Sequence, residues 1–217
     1  MPAACELGSR AAAVLGIAAL SPLLVLAALA VRLSSRGPVL FNQDRVGIQG
    51  RPFRIHKFRT MRVARGGLDI TVGADPRVTA VGAALRRLKL DELPQLFNIA
   101  KGEMAFIGPR PEVPRYVALW PDSARTLVHS VRPGLTDIAS LVYIDENRLL
   151  GAAPDPERYY VEVLMPAKLR LAEAYVRSRN AWLDLRILAA TATGILGLRW
   201  IPSPFGDIRA EIPPASP

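Results

Sequence analysis

The sequence lacks the motifs that identify most nucleotide-dependent enzymes. Its 217 residues contain no Gly-x-x-x-x-Gly-Lys-Ser/Thr phosphate loop, no Gly-x-Gly-x-x-Gly dinucleotide fingerprint and no Gly-x-Ser-x-Gly elbow. There is also no Asp-x-Asp pair with which a soluble glycosyltransferase would hold the metal of a nucleotide sugar. Any phosphate chemistry in this chain must therefore be built from other residues.

Cysteine and histidine are nearly absent. The single Cys5 excludes an intrachain disulfide and is consistent with a reducing compartment. His56 and His129 stand alone in the sequence, so we expect structural roles for both rather than a zinc site.

Length and charge leave several functions open. Half of the residues are hydrophobic, which is enough for one domain plus appendages. The net charge is +9, and arginine far outnumbers lysine. A basic balance suits nucleic acid, anionic lipid and phosphorylated substrates equally well.

An uncharged run at residues 11–31 lies between Arg10 and Arg32. As a straight helix it would extend roughly 30 Å, about the hydrocarbon thickness of a bilayer. A cleaved signal peptide, with Ala28-Leu29-Ala30 as its cleavage pattern, is one interpretation. A spanning anchor and a re-entrant helix bent at Ser21-Pro22 are the others. On the length and hydrophobicity of the run alone, we favour a straight helix that spans the membrane.

A strongly basic segment follows this run. Between positions 36 and 65 the chain has eight cations and one acid. Residues 39–41 and 53–58 are predicted to form a β-hairpin. Lys57 and Arg59 should lie on the same strand face, where they could bind phosphate. A basic collar against lipid head groups and a solvated hairpin face remain equally compatible with the charge.

Two adjacent carboxylates, Asp91 and Glu92, precede a proline and an apolar run. A helix is predicted from the spacing of Leu93, Leu96, Phe97 and Ala100. Asp91 would then be its N-cap, ionised with a low pKa, and Glu92 an acid of the first turn. A capped helix without further function is the simpler alternative.

Rigidly held arginines flank the two acids. Arg86 lies just upstream, and Gly108-Pro109-Arg110-Pro111 follows a predicted short strand at residues 104–107. Pro109 and Pro111 fix the backbone on both sides of Arg110, so its guanidinium is presented with little freedom to lose. Carboxylates between such arginines suggest a site for phosphates and a metal.

The rest of the chain is predicted to be mainly helical. An amphipathic helix is expected at residues 76–90, and helices dominate from Asp155 onwards. The segment 137–151 has no clear assignment. Residues 187–198 are too short to span a bilayer and fit a core or interfacial helix. Residues 201–217 carry five prolines and should form an extended or disordered tail.

The order of these features resembles the bacterial sugar transferase family, the monotopic phosphoglycosyl transferases. The similarity extends from about residue 11 to residue 196. Its matching pieces are Ser21-Pro22, Gly37-Pro38-Val39-Leu40-Phe41, Gln43-Asp44-Arg45-Val46-Gly47, Lys57-Phe58-Arg59-Thr60-Met61, Leu90-Asp91-Glu92-Leu93-Pro94-Gln95-Leu96, Gly108-Pro109-Arg110-Pro111-Glu112 and Arg132-Pro133-Gly134-Leu135-Thr136.

The resemblance implies an α+β fold: a small, mostly helical catalytic domain with a short β-hairpin on an N-terminal re-entrant membrane helix. It implies three regions: the membrane helix at 1–36, the transferase domain at 37–200 and the proline-rich tail at 201–217. It also replaces the straight span with a helix that is broken at Ser21 and Pro22 and returns to the cytoplasmic face of the bacterial inner membrane.

The implied reaction transfers a sugar 1-phosphate from a UDP-sugar to polyprenyl (undecaprenyl) phosphate, with Mg²⁺ as cofactor. Asp91 would be the nucleophile, and Glu92 would handle the metal or a proton, with both acids available as metal ligands. Arg86, Arg110 and Asp184 match family positions in the site. The resemblance implies contact with membrane lipid and no nucleic acid partner. It leaves open whether the protein forms a homodimer.

One segment departs from the family pattern. Many members continue the Pro-Gly-Leu-Thr turn with Gly-Trp-Ala-Gln, whereas this chain reads Asp137-Ile138-Ala139-Ser140 and later Asp145-Glu146. We interpret this as a different wall on the sugar side of the site. The rival interpretation of the whole chain is a non-catalytic, membrane-anchored basic module that binds anionic lipid or nucleic acid.

Overall fold

The computed structural model describes residues 3–62, 73, 75–195, 197–198 and 200–202. Over these residues the chain forms ten α-helices and four short strands, which confirms the α+β prediction. The loop predicted near residues 66–75 lies outside the described residues except for Gly73 and Asp75. The tail at 201–217 also lies outside them, apart from Ile201, which packs against the main core, and the buried Pro202.

Helix α1, Ala3–Ser34, lies along the domain and contacts it with one face over most of its length. The contacting positions alternate at spacings of three and four, the pattern of a helix laid against a continuous surface. They are Glu6, Arg10, Ala13, Ile17, Leu20, Leu24, Ala27 and Val31. Both halves of α1 therefore pack against the same body.

The predicted break at Ser21-Pro22 does not end the helix. Pro22 lies inside α1, and the Ser21 hydroxyl donates to the Ala18 carbonyl at 2.8 Å, so helical structure continues through both residues. That the segment re-enters on one side of a membrane stays a prediction. The predicted boundary at residue 36 divides α1 from the rest of the chain in sequence. In the structure α1 shares two hydrophobic clusters with the residues that follow this boundary.

The opposite face of α1 is apolar and open. Glu6–Ser34 is long and apolar enough to cross a bilayer, and among the described helices it alone has this property. The large exposed side chains on it are Leu7, Val14, Leu15, Val25, Leu26, Leu29 and Leu33. Such a contiguous apolar surface fits contact with membrane lipid.

The predicted hairpin is confirmed. Strand β1, Leu40–Val46, pairs antiparallel with β2, Pro52–Phe58, with Leu40 opposite Phe58. The second strand begins one residue before its predicted start and ends as predicted at Phe58. The first begins one residue later than predicted, at Leu40, and continues five residues beyond its predicted end at residue 41. Lys57 occupies the penultimate position of β2.

Helix α2, Ala80–Arg87, begins later than predicted because Thr79 caps it. The Thr79 hydroxyl accepts the Gly82 N–H at 2.9 Å. Gly82 itself lies against Thr60, where a β-carbon would come within 2.0 Å of the Thr60 carbonyl oxygen, so only glycine allows this approach. The contact holds α2 against the end of the hairpin.

A 3₁₀ turn, Leu90–Glu92, precedes helix α3, Gln95–Lys101. The predicted apolar face of α3 is only partly right. Leu96 is buried, but Phe97 is exposed, and the polar Asn98 is fully buried instead. Asn98 turns inward because its side-chain amide donates to the Arg54 carbonyl at 2.8 Å and to Glu103 at 2.7 Å.

The predicted strand at 104–107 is confirmed as β3, Ala105–Ile107, after which helices α4, Pro114–Val117, and α5, Asp122–Val128, follow. Strand β4, Gly134–Thr136, pairs with β3 in parallel. The Arg132-Pro133-Gly134-Leu135-Thr136 motif is thus part of a two-stranded sheet rather than an isolated turn.

The C-terminal half is helical and contributes most of the main hydrophobic core. The unassigned segment forms α6, Ile138–Val142, and α7, Glu146–Ala152. Helix α8, Pro156–Tyr159, continues through a π-helical turn, Tyr160–Leu164, into α9, Met165–Ser178. Helix α10, Ala181–Ile195, buries Leu183, Ile187 and Ala190 and leaves Trp182, Leu185 and Leu188 exposed.

Candidate active site

The acidic pair sits on the short turn between α2 and α3. Lys89, directly before this turn, has φ 57°, a left-handed conformation that side chains other than glycine rarely adopt. This residue reverses the chain at the end of α2 and points the next turn back toward the hairpin. A strained backbone position beside two acids is a frequent feature of functional sites.

Glu92 is held by two cations at one oxygen. Lys57 Nζ lies 2.7 Å and Arg110 Nη2 lies 2.5 Å from Glu92 Oε1, although the three residues are far apart in sequence. Burial of Glu92 acts to raise its pKa, but the charges of Arg110 and Lys57 outweigh burial and hold the pKa well below its ordinary value. Glu92 is therefore an ionised, positioned carboxylate.

The two cations of this cluster respond to burial differently. Burial lowers the pKa of Lys57 to about 8, and the positive charge of Arg110 adds to this while Glu92 opposes it. The negative charge of Glu92 raises the pKa of Arg110 above its ordinary value. Lys57 is thus the weaker cation of the cluster, and Arg110 keeps its charge throughout the physiological range.

Asp91 has a different environment from its neighbour. Within the described part of the chain its carboxylate accepts no hydrogen bond and forms no ion pair. The prediction of an N-cap with a low pKa is wrong, because Pro94 takes the cap position of α3 and burial raises the pKa of Asp91, with the adjacent Glu92 raising it further. Glu92 is therefore held by its two cations, whereas the Asp91 carboxylate is available to react or to bind a ligand.

Arg86 completes the positive surroundings of Asp91. Its Nε donates to the Thr60 hydroxyl at 2.9 Å, which fixes the guanidinium from the last turn of α2. Burial lowers the pKa of Arg86, and the charge of Asp91 opposes that shift. The predicted grouping of Arg86 with the acids is consistent with this arrangement.

Lys57 and Arg59 do not point to the same place. Arg59 is buried, and its Nη2 donates to the Ser35 carbonyl at 2.7 Å and to the Ser35 hydroxyl at 3.0 Å. The expectation of two parallel cations is wrong because β2 ends at Phe58, so the strand alternation does not extend to Arg59. Arg59 anchors the end of α1 instead.

The Gly108-Pro109-Arg110-Pro111 loop is pinned to the β3–β4 pair. A β-carbon on Gly108 would lie 2.5 Å from the Arg132 carbonyl oxygen, so two backbones approach where only glycine fits. The Pro109 carbonyl accepts the Gly134 N–H at 3.0 Å, and the Pro111 carbonyl accepts Arg45 Nη1 at 3.0 Å. The predicted rigid presentation of Arg110 is consistent with these contacts.

The predicted site residue Asp184 has a different environment. Its Oδ1 accepts the Tyr175 hydroxyl at 2.6 Å, which ties the start of α10 to α9. It forms no hydrogen bond or ion pair with the Asp91-Glu92 turn among the described residues. Its predicted contact with phosphate stays a prediction.

A polar cavity of about 200 Å³ adjoins Arg110. Its charged and polar lining residues were not identified as a group from the sequence, and they include Arg45, Glu112, Asp137, Glu146, Tyr160 and Lys168. Lys168 offered one signal, since it is one of only four lysines among 28 basic residues. Asp137 and Glu146 fall in the segment where the family motif is not followed.

The donor set allows a substrate-bridged metal but no protein cage. Within the described residues there is no group of three or more His, Cys, Asp or Glu side chains that could hold a metal ion. Mg²⁺ commonly binds through one or two carboxylates together with substrate phosphates. Asp91 forms no hydrogen bond or ion pair with the residues that the structure describes, and both cations at Glu92 contact Oε1 rather than Oε2, so either acid could take that role.

Comparisons with known proteins agree on one family. A sequence model of the bacterial sugar transferase family matches residues 6–197. An undecaprenyl-phosphate glucose phosphotransferase from Komagataeibacter xylinus is 40% identical over 188 residues, covering 83% of this chain and 33% of that protein.

Two further relatives carry different sugars in their names. A UDP-glucose:undecaprenyl-phosphate glucose-1-phosphate transferase from Caulobacter vibrioides is 39% identical, covering 85% of this chain and 67% of that protein. A UDP-N-acetylgalactosamine-undecaprenyl-phosphate N-acetylgalactosaminephosphotransferase from Aeromonas hydrophila is 38% identical, covering 85% of this chain and 42% of that protein. The chain thus spans about one third to two thirds of the length of these relatives.

Proposed function

The chain belongs to the bacterial sugar transferase family, and from this premise we propose that it transfers a sugar 1-phosphate from a UDP-sugar to undecaprenyl phosphate. The products are undecaprenyl-diphosphate-sugar and UMP. The names of its relatives support this reaction class. The observation that carries the proposal is the unequal setting of Asp91 and Glu92.

A covalent route requires one carboxylate that is free to attack and cations that receive the phosphates. Asp91 is unpaired, and Lys57, Arg86 and Arg110 surround the acidic turn. Such fixed cations neutralise the diphosphate, which would otherwise repel an anionic nucleophile. Glu92 holds Lys57 and Arg110 in place and is a positioning group.

In the first step an Asp91 carboxylate oxygen attacks the phosphorus that bears the sugar. A new P–O bond forms to Asp91, the P–O bond to the bridging oxygen breaks, and UMP leaves with that electron pair. In the second step a phosphate oxygen of undecaprenyl phosphate attacks the same phosphorus. The bond to Asp91 breaks, and the free carboxylate is restored.

Mg²⁺ is part of the proposal. The Oε2 oxygen of Glu92, which neither Lys57 nor Arg110 contacts, would hold the ion together with the diphosphate oxygens, and the ion would supply charge neutralisation at the phosphates. The chain contributes the rest through its own residues, because Arg110 on its rigid loop offers a planar pair of donors that matches phosphate geometry.

We also place the protein at the cytoplasmic face of the bacterial inner membrane, with α1 re-entrant and not spanning. What supports a helix that does not span the bilayer is that both halves of α1 pack along the same body, while the opposite face is open and apolar. That α1 re-enters rests on the family to which the chain belongs. A helix crossing the bilayer upright would carry that body into the hydrocarbon. A homodimer stays a prediction.

The test is release of UMP without lipid acceptor. Purified full-length protein, Mg²⁺ and a panel of UDP-sugars should give up to one UMP per active enzyme and then stall. Mass spectrometry should place a phosphosugar on the peptide that contains Asp91. Asp91→Asn should show neither signal, whereas Asp122→Asn, at an exposed acid on α5, should show both.

Three outcomes separate the alternatives. Turnover only in the presence of undecaprenyl phosphate, with no burst and no adduct, would exclude the covalent route and leave the transferase. No UMP with any UDP-sugar and lipid acceptor would favour the non-catalytic basic module. Full activity of Asp91→Asn would remove Asp91 from the chemistry.

A further inference from the structure

The cavity beside Arg110 is not used by the phosphate chemistry described above. Arg110 lies between the acidic turn and the cavity, because its Nη2 contacts Glu92 while its side chain lines the cavity. A substrate held by its diphosphate at Arg110 would therefore have its next chemical group at the cavity entrance. The remaining question is which group of the nucleotide sugar the cavity would accept.

Every charged side chain of the cavity lining has a partner, and Asp137 accepts hydrogen bonds from the backbone N–H groups of Ala139 and Ser140. Arg45 Nη1 lies 3.1 Å from Glu112 Oε1, and Lys168 Nζ lies 3.0 Å from both carboxylate oxygens of Glu146. Arg110 is paired with Glu92. Beyond Arg110, which faces the diphosphate, a second anion would have to displace the carboxylate that is paired with Arg45 or Lys168. The lining beyond Arg110 therefore suits an uncharged ligand with many hydroxyl groups.

The Glu146–Lys168 pair is more accessible than the Arg45–Glu112 pair of the same lining. The side chain of Glu146, in the first turn of α7, is 28% exposed, and that of Lys168 on α9 is 17% exposed. Lys168 also lies over the Tyr160 ring at 5.2 Å, which fixes the height of its ammonium group. A carboxylate and an ammonium side by side can accept from one hydroxyl and donate to its neighbour.

The volume of the cavity argues for a single ring. About 200 Å³ is below the range of roughly 300–1,000 Å³ that drug-sized ligands occupy, so a whole nucleotide sugar does not fit. The two aromatic rings of the lining are already engaged, since Trp120 stacks on His129 and Tyr160 packs against Tyr116. The polar groups of the lining, such as Glu146 and Lys168, match the hydroxyl groups of a hexose.

We propose that this cavity binds the sugar ring of the nucleotide sugar and that Glu146 and Lys168 determine which sugar is accepted. The inference rests on the proposed transferase function. It gives a role to α7, which lies in the segment 137–151 where the family motif is replaced.

The test compares two sugars on the same protein preparation. The ratio of kcat/KM for UDP-glucose to kcat/KM for UDP-galactose or UDP-N-acetylgalactosamine cancels the fraction of active enzyme, so partial misfolding does not affect it. Glu146→Gln and Lys168→Met should each change this ratio at least about tenfold, because a site built for a hydroxyl discriminates through that hydrogen bond. Inhibition by UMP should be unchanged.

Glu162→Gln serves as the matched control. Glu162 is an exposed glutamate in an ion pair with Arg158, and it does not line the cavity. This variant should keep the wild-type ratio. The double variant Glu146→Gln/Lys168→Met should show the changed ratio without an unpaired charge in the lining.

Two results would overturn the inference. Equal losses of kcat/KM for all sugars with weaker UMP inhibition would assign the cavity to the nucleoside. Unchanged ratios in all three cavity variants would remove Glu146 and Lys168 from sugar recognition. The ratio requires that the wild type turns over two of these UDP-sugars. Failure of the transferase proposal would abolish turnover of all of them and is therefore distinguishable from failure of this one.

Discussion

Neutralising Glu92 and neutralising Asp91 should change stability in opposite directions, although the two acids are neighbours. The prediction concerns Glu92→Gln and Asp91→Asn, measured in EDTA so that no metal compensates. Glu92 is 14% exposed and joins Lys57 and Arg110, which are 18% and 32% exposed. Its loss leaves two partly buried cations without a counter-charge.

The size of the effect follows from that geometry. Removing one member of a buried ion pair costs about 3–5 kcal/mol, and the partial exposure of Arg110 puts the expectation at the lower end, about 3 kcal/mol. For a chain of this length we expect a melting temperature lower by about 6–12 °C. Asp91→Asn should instead raise it, because burial disfavours the charged carboxylate that the substitution removes.

The assay is thermal unfolding of both variants and wild type in one detergent. Asp44→Asn is the control, since Asp44 pairs with Arg54 on the open face of the hairpin, where both side chains are more than half exposed. Its melting temperature should match the wild type. Equal melting temperatures for Glu92→Gln and wild type would show that Glu92 does not hold the two cations, and the assignment of separate roles to the acids would fail.

Three further predictions follow from single features. Arg110→Lys keeps the charge but loses the planar pair of donors, so kcat/KM for the UDP-sugar should fall at least about tenfold; unchanged kinetics would place Arg110 outside the phosphate site. Lys89→Gly should leave stability unchanged or raise it by up to about 1 kcal/mol, since glycine accepts a positive φ, whereas Ala84→Gly in the middle of α2 should cost about 1 kcal/mol in the same denaturant titration. Ala3→Cys and Arg36→Cys, each in a background without the native cysteine, should both be protected from an impermeant periplasmic thiol reagent; labelling of the first alone would indicate a straight span.

Local chemistry predicted the parts of the site that depend on near neighbours. The hairpin that carries Lys57 and the strand before Arg110 follow from alternating and apolar runs. The prolines around Arg110 predict a rigid loop without any reference to its long-range contacts. These features are encoded within a few residues, so a sequence pattern is enough to find them.

Contacts between distant segments were not predictable in the same way. The sequence contains Lys57 and Arg110 as two of many cations, and only the fold brings both to Glu92. The N-cap prediction for Asp91 was wrong because the left-handed Lys89 starts a separate 3₁₀ turn. Helices α6 and α7 have five and seven residues, too short for a periodic apolar pattern to be recognised.

The packing of α1 has a consequence for the height of the catalytic turn above a lipid surface. Ala13 of α1 packs with Leu96 and Ile99 of α3, and Val31 of α1 packs with Leu85 of α2. The same helix therefore contacts both elements that flank Asp91. In the proposed membrane setting no flexible tether separates the bilayer from the nucleophile. Inserting one residue into α1 between these contacts would rotate its later half by about 100° and pull α2 away from α3. In the wild-type protein, by contrast, the attacking group is held at a fixed depth. A lipid phosphate that diffuses in the plane of the membrane would therefore reach it by a search in two dimensions.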